Sequence, residues 1–234
     1  MMKKALLLFL FAAAAILLML FSFQSDMWNN PSKESTQPEE ALSAEGNKVE
    51  AGEKEKEEKA PFKENFEEEK EVVVQIEGTE EKVLMHLNKG KDCDYIIYID
   101  EERYKMVSGE GDKPDAITTK EELPENFPEV SMTIEHVPDT APEVLVEEFE
   151  AELKAEFPDL QEVEQVAKPV QGYQLHGIAN GGQQGNDPVV HAYVISNGQS
   201  GSFVITERYF LEAAEGHGAR FYAMLTEFHI VEPE

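Results

Sequence analysis

The chain has 234 residues with 48 acidic and 20 basic side chains, a net charge of −28. A field of that sign repels phosphate backbones and anionic lipid heads; it argues against nucleic acid as a partner and suits a cationic one, while also serving plain solubility. A single cysteine, Cys93, rules out an internal disulfide, so stability must come from a packed core.

Lys3 and Lys4 precede nineteen uncharged residues, Ala5 to Phe23. A helix of that length reaches about 28 Å, close to the ~30 Å hydrocarbon core of a bilayer. The apolar stretch exceeds that of a cleavable signal. Ala12 to Ala15 sit mid-segment, and Phe21 to Ser25 make a poor cleavage site. An uncleaved single-span anchor is therefore favoured over a cleaved signal. The two lysines hold the N-terminus in the cytoplasm and place the remainder outside, with Trp28 at the outer interface. Residues 1–24 are thus the anchor or signal segment. Residues 25–70 are polar, acidic and without apolar periodicity, which predicts a disordered linker with a mean reach of about 40 Å. Residues 71–234 carry 34 acidic and 11 basic side chains and enough apolar material for one globular domain.

Within that domain, alternation predicts strands at Val72–Ile76 and Glu81–Leu87. Tyr95–Ile99 is apolar on both faces, so a buried strand is expected, returning through Arg103–Val107. Ser108 to Pro128 is rich in glycine and proline and reads as loop. Ser131–Val137 alternates again. Thr140 as cap, Pro142 in the first turn and Glu143 then open a helix, with Val146, Phe149, Leu153 and Phe157 on one stripe until Pro158 ends it. Two strands, Leu160–Val166 and Val170–Ala179, meet at Lys168-Pro169. Val189–Ser196 and Ser202–Arg208 form a hairpin about Asn197-Gly198. Tyr209 to Leu225 reads as helix broken at Gly216-His217-Gly218, and Phe228–Val231 closes as a short strand.

The segments SMTIEHV with the helix from Ala141, NGQSGSFVITERYF, and ARFYAMLTEFHI follow one another in an order that resembles PsbP-like domains. The chain is also similar to single-span bacterial surface proteins that carry such a domain. The resemblance covers about 140 residues from Tyr95 on. It implies an α+β fold, an antiparallel sheet flanked by helices as an α/β/α sandwich, and binding without catalysis. It carries over no partner. The strands from Val72 to Leu87 lie outside that fold's usual core.

Chemical signatures are sparse. His217 between two glycines is the sharpest local feature and the weak candidate for a catalytic residue, with His191, Glu212 or Glu215 as partners. The blander reading makes Gly216 a helix end and Gly218 a kink. His136, His176, His191 and His229 sit on separate strands without the spacing of a zinc motif, so no metal is expected. Asp92, Asp94, Asp100, Glu101 and Glu102 lack the order of a calcium loop. Neither Gly198–Gly201 nor Gly181–Gly185 fits a nucleophile elbow or phosphate loop, and no cofactor is expected. These features predict a membrane-tethered extracytoplasmic binding or accessory protein without catalysis. It would be held in the cell membrane through residues 5–23 and directed at an envelope partner. The alternatives are a wall or peptide hydrolase using His217 with a nearby carboxylate, or a cation-responsive sensor.

Overall fold

The structure, a computed structural model, describes residues 65–231. The expected membrane segment and the linker up to residue 64 lie outside the described residues. Among the described residues no helix is long and apolar enough to cross a membrane. The domain is α+β, sheet-rich and antiparallel throughout. Its elements are β1 Glu69–Ile76, β2 Thr79–Lys89, β3 Tyr95–Ile99, β4 Tyr104–Val107, β5 Asp115–Thr119, β6 Ser131–Val137, α1 Pro142–Glu156, β7 Glu164–Val166, β8 Gly172–Ile178, β9 Pro188–Ser196, β10 Ser202–Phe210, α2 Ala219–Thr226 and β11 Phe228–Ile230. They build a four-stranded sheet ordered β1-β2-β3-β11 and a seven-stranded sheet ordered β4-β5-β6-β10-β9-β8-β7.

Period-two alternation assigns the faces of the larger sheet. Leu175, Val190, Ala192, Val194 and Val204 point one way and bury against Val146, Leu153 and Phe157 from α1 and its C-cap. A bidentate pair from Arg208 to Glu156, at 2.7 and 2.9 Å, fastens the end of that helix. The opposite face carries Met132, Ile134, Phe203, Ile205 and Tyr193. It shares a core with β3, α2 and the smaller sheet. All five residues of β3 are buried, as a strand apolar on both faces should be. Tyr95 stacks on Phe228 and meets Phe203 edge-on, so β3, β11 and β10 interlock.

Two buried carboxylates join the layers. Asp115 on β5 accepts from the Tyr95 hydroxyl at 2.6 Å and from the amides of Gly109 and Lys91 at 2.8 and 3.0 Å. Asp100, after β3, pairs with Arg220 on α2 at 3.2 Å, and Arg220 also reaches Glu81 on β2 at 2.5 Å.

Several local expectations need correction. β5 lies inside the segment expected to be loop: Ala116 to Thr118 pair with β4 and β6 despite the surrounding glycines and prolines. β1 begins at Glu69, ahead of Val72, and only Glu164–Val166 of the stretch from Leu160 is strand. The α1 N-cap is Ala141 with no side-chain cap, while Pro142 occupies the first turn. Thr140 serves instead through its carbonyl, which accepts from the Ser202 hydroxyl at 2.6 Å. β10 continues to Phe210, and Gly216-His217-Gly218 does not break a helix. Those residues close a π turn, Ala214–Gly218, that runs directly into α2.

Removing the Asp115 network orphans three donors, each costing ~1–3 kcal/mol when buried. Only the Tyr95 bond is fully buried and the two amides are half-buried, so urea unfolding of Asp115→Ala should show a loss of about 2–4 kcal/mol, against about 1 kcal/mol for Tyr95→Phe. Equal losses would mean that Asp115 does not organise this junction.

Candidate functional site

The core-facing side of β10 reads Phe203, Ile205, Glu207, Tyr209: an acid in an apolar row. Register then decides its neighbours. Glu207 pairs across with His191 on β9, and His191 with His176 on β8. On the other side Glu207 faces Met132 of β6. One line across the sheet therefore passes from apolar side chains to a carboxyl and two imidazoles.

Glu207 is 1% exposed. Its Oε2 lies 3.9 Å from His191 Nδ1, and its Oε1 is buried with no hydrogen-bond partner. The two histidine rings meet edge to face, centroids 4.1 Å apart. His176 Nδ1 lies 3.2 Å from the Val190 carbonyl. Burial pushes the Glu207 carboxyl up to about 8. Burial first, and then His176, pull His191 down to about 4. His176 is also lowered by burial, with its backbone hydrogen bond acting the other way. At neutral pH the row is thus a protonated acid beside two uncharged imidazoles, and the 3.9 Å contact joins neutral groups instead of an ion pair.

This row forms the floor of a cleft of about 950 Å³. Ile178, Val189, Tyr193 and Tyr209 share the floor, α2 contributes Ala219, Tyr222 and Ala223, and β1 borders one side. Gly218 permits the close fit at the α2 end, since a Cβ there would stand 3.1 Å from the Tyr209 hydroxyl. The cleft is mostly apolar, with a few convergent polar groups at its base, and its size is that of small-molecule and peptide sites, roughly 300–1,000 Å³. A second cavity, about 720 Å³, lies by Gln165, Tyr173, Phe228 and His229.

His217 sits elsewhere. Its Nδ1 is 2.7 Å from the Tyr104 hydroxyl and its Nε2 3.7 Å from Glu121 Oε2, in a cavity of about 440 Å³. Burial lowers its pKa, partly offset by Glu121. The nearby carboxylate is therefore Glu121, whereas His191 lines the larger cleft. The acidic run after residue 91 divides: Asp94 meets His136 at 2.7 Å, and Asp100 meets Arg220. Among the described residues no three His, Cys, Asp or Glu side chains are grouped to hold a metal ion. Sequence reading missed Glu207 and treated His176 and His191 as unrelated strand histidines. The available signal was the acid at an apolar position in Phe203–Tyr209.

Neither a protein-family model nor a curated protein matches the chain.

The raised Glu207 pKa means that the native state keeps a proton the unfolded chain has released. Its contribution is complete below the ordinary 4.5 and is lost as pH rises through about 8. His191 contributes above 6.5 and loses its contribution as pH falls through about 4. Between pH 6.5 and 8 only Glu207 of this pair acts. Urea unfolding should therefore show wild type losing about 1 kcal/mol per pH unit relative to Glu207→Gln in that window, the slope flattening toward pH 8. A constant difference would show that Glu207 is ionised in the folded protein.

Proposed function

We propose that the chain is a membrane-tethered, extracytoplasmic binding protein whose globular domain holds a largely apolar ligand in the cleft over Glu207, His191 and His176. The observation that carries this reading is the cleft itself: an apolar space with neutral hydrogen-bonding groups collected at its floor. A concave apolar surface of that kind is a cost to a domain that needs only to fold, because its walls stay in contact with water. The uncharged stretch Ala5–Phe23 supports attachment to a bilayer, and the acidic linker supports a domain that searches near the membrane surface. The seven-stranded antiparallel sheet with α1 on one face supports the PsbP-like reading on that side, whereas the opposite face is covered by the four-stranded sheet together with α2, which departs from a plain α/β/α sandwich.

Hydrolysis through His217 draws less support. Thr119 lines that cavity, but its hydroxyl accepts the Glu121 amide at 3.0 Å, and the Tyr104 hydroxyl already holds the ring. The cation-sensor reading is weakened because the acidic run is divided, Asp94 meeting His136 and Asp100 pairing with Arg220.

The test uses indole as a soluble apolar probe and the full-length protein in phosphatidylcholine nanodiscs. Methyl resonances of Ile178, Val189 and Ala223 should shift saturably, and Ala223→Trp, which fills the cleft, should remove the response. Shifts scattered over the surface, or none at these methyls, would contradict a ligand site here.

A further inference from the structure

Two phenols at the cleft lack a partner. Tyr193 on β9 and Tyr209 on β10 line it while only 2% and 4% exposed. Neither hydroxyl bonds to a described residue. Among the described residues, the side-chain oxygens that are both sealed from solvent and unpartnered belong to Asp94, Asp100 and Glu207. The phenol oxygens are unpartnered but not sealed, so each opens onto space, and the space these residues line is the cleft. Burial raises both phenols above their ordinary 10, so each stays an O–H donor.

The imidazoles supply the opposite half. His176 Nδ1 meets a carbonyl at 3.2 Å, and a carbonyl only accepts. Nδ1 therefore carries the proton, and Nε2 of the uncharged ring is a lone pair. His191, also uncharged, offers one donor and one acceptor. Its ring lies 4.1 Å from that of His176 and 6.1 Å from that of Tyr209, centroid to centroid. Phenol donors and imidazole acceptors thus stand side by side.

No counter-ion waits among them. Of the charged residues bordering the cleft, Glu71 pairs with Lys82 and Glu227 with Lys70, while Lys168 and Glu215 are exposed to solvent. Glu207 holds its proton near neutrality. An ion set on this floor would lose hydration without meeting an opposite charge. A hydroxyl gives up only hydrogen bonds to water and regains both kinds here, accepting from a phenol and donating to an imidazole.

We propose that the ligand is an apolar alcohol, its hydroxyl held between the Tyr193 or Tyr209 hydroxyl and an imidazole nitrogen of the His176–His191 pair, its hydrocarbon body against Ile178, Val189 and Ala223. This names the ligand class for the binding reading above and rests on it.

The experiment uses probes that share one benzyl body: benzyl alcohol, benzyl methyl ether, benzylammonium and phenylacetate. Each is titrated at neutral pH into full-length protein in phosphatidylcholine nanodiscs. The readout is the methyl resonances of Ile178, Val189 and Ala223, and dialysis against empty nanodiscs fixes the free probe concentration. Benzyl alcohol should bind at least about tenfold more tightly than either ion. It should exceed the ether, which accepts but cannot donate, by about threefold or more. Combining Tyr193→Phe with Tyr209→Phe should weaken benzyl alcohol by about threefold or more and leave indole, which only donates, unaffected. If the double variant loses the indole response as well, its cleft has collapsed and the wild-type affinities alone decide. An ion or the ether binding as tightly as the alcohol overturns the proposal. So does a double variant that still responds to indole and binds the alcohol as wild type does. If indole shifts the methyls while the alcohol has no advantage, the ligand class fails and the cleft reading stands. If no probe shifts them, both fail.

Discussion

The register of β10 against β9 and β8 is the constraint from which the rest of this domain's chemistry follows. Side chains alternate strictly along a strand, so a slip of one residue would carry Glu207 to the α1 face and bring Thr206 and Arg208 to the other. That slip is prevented by what each face must bury: Val204, Val190, Ala192 and Val194 against α1, and Phe203, Ile205 and Tyr193 against the second core. The apolar residues thus hold the register, and the register delivers one acid and two imidazoles to the same line. No specific polar attraction is required to assemble them. The environment then sets their charge, leaving the row uncharged near neutrality.

The cleft over this row arises because two sheets of unequal width share one core. The smaller sheet and α2 cover Phe203, Ile205 and Met132 closely, with β3 and its tyrosine as the central contact. Toward β8 the cover stops at the edge of β1, and α2 closes only part of the remaining width. The Asp100–Arg220–Glu81 contacts hold α2 to the smaller sheet, so the wall formed by Ala219, Tyr222 and Ala223 is fixed with respect to β1. A cleft between elements this firmly tied is preorganised, so the proposed ligand would not have to supply the free energy of ordering it.

Much of the secondary structure was legible because burial writes period two or period 3.6 into the text. Tyr95–Ile99, Ser131–Val137 and the α1 stripe show this plainly. Asp115–Thr119 escaped because its two apolar residues lie between Pro114 and a polar run, and its pairing with β4 and β6 is tertiary information. Thr140 had the right identity for a cap, but the cap position falls one residue later, on Ala141, and Thr140 meets Ser202 through its carbonyl. The two glycines around His217 suggested a break, whereas their backbones accept right-handed helical geometry at the start of α2. The site was less legible than the fold. A glutamate in FVITERY is visible as an anomaly in an alternating strand, yet its meeting with His191 and His176 depends on pairings with residues sixteen and thirty-one positions earlier in the sequence. The cleft itself was beyond local pattern altogether, since it is set by where one sheet ends above another.

The central claim is that a neutral carboxylic acid waits at the base of a ligand cleft. Its most direct test is a ¹³C titration of the Glu207 side-chain carboxyl in the full-length protein, empty and with the cleft filled. The account expects a protonated carboxyl through neutral pH, a midpoint near 8, and a displaced midpoint on filling. A carboxyl that titrates near 4.5 and ignores an occupant of the cleft would contradict it.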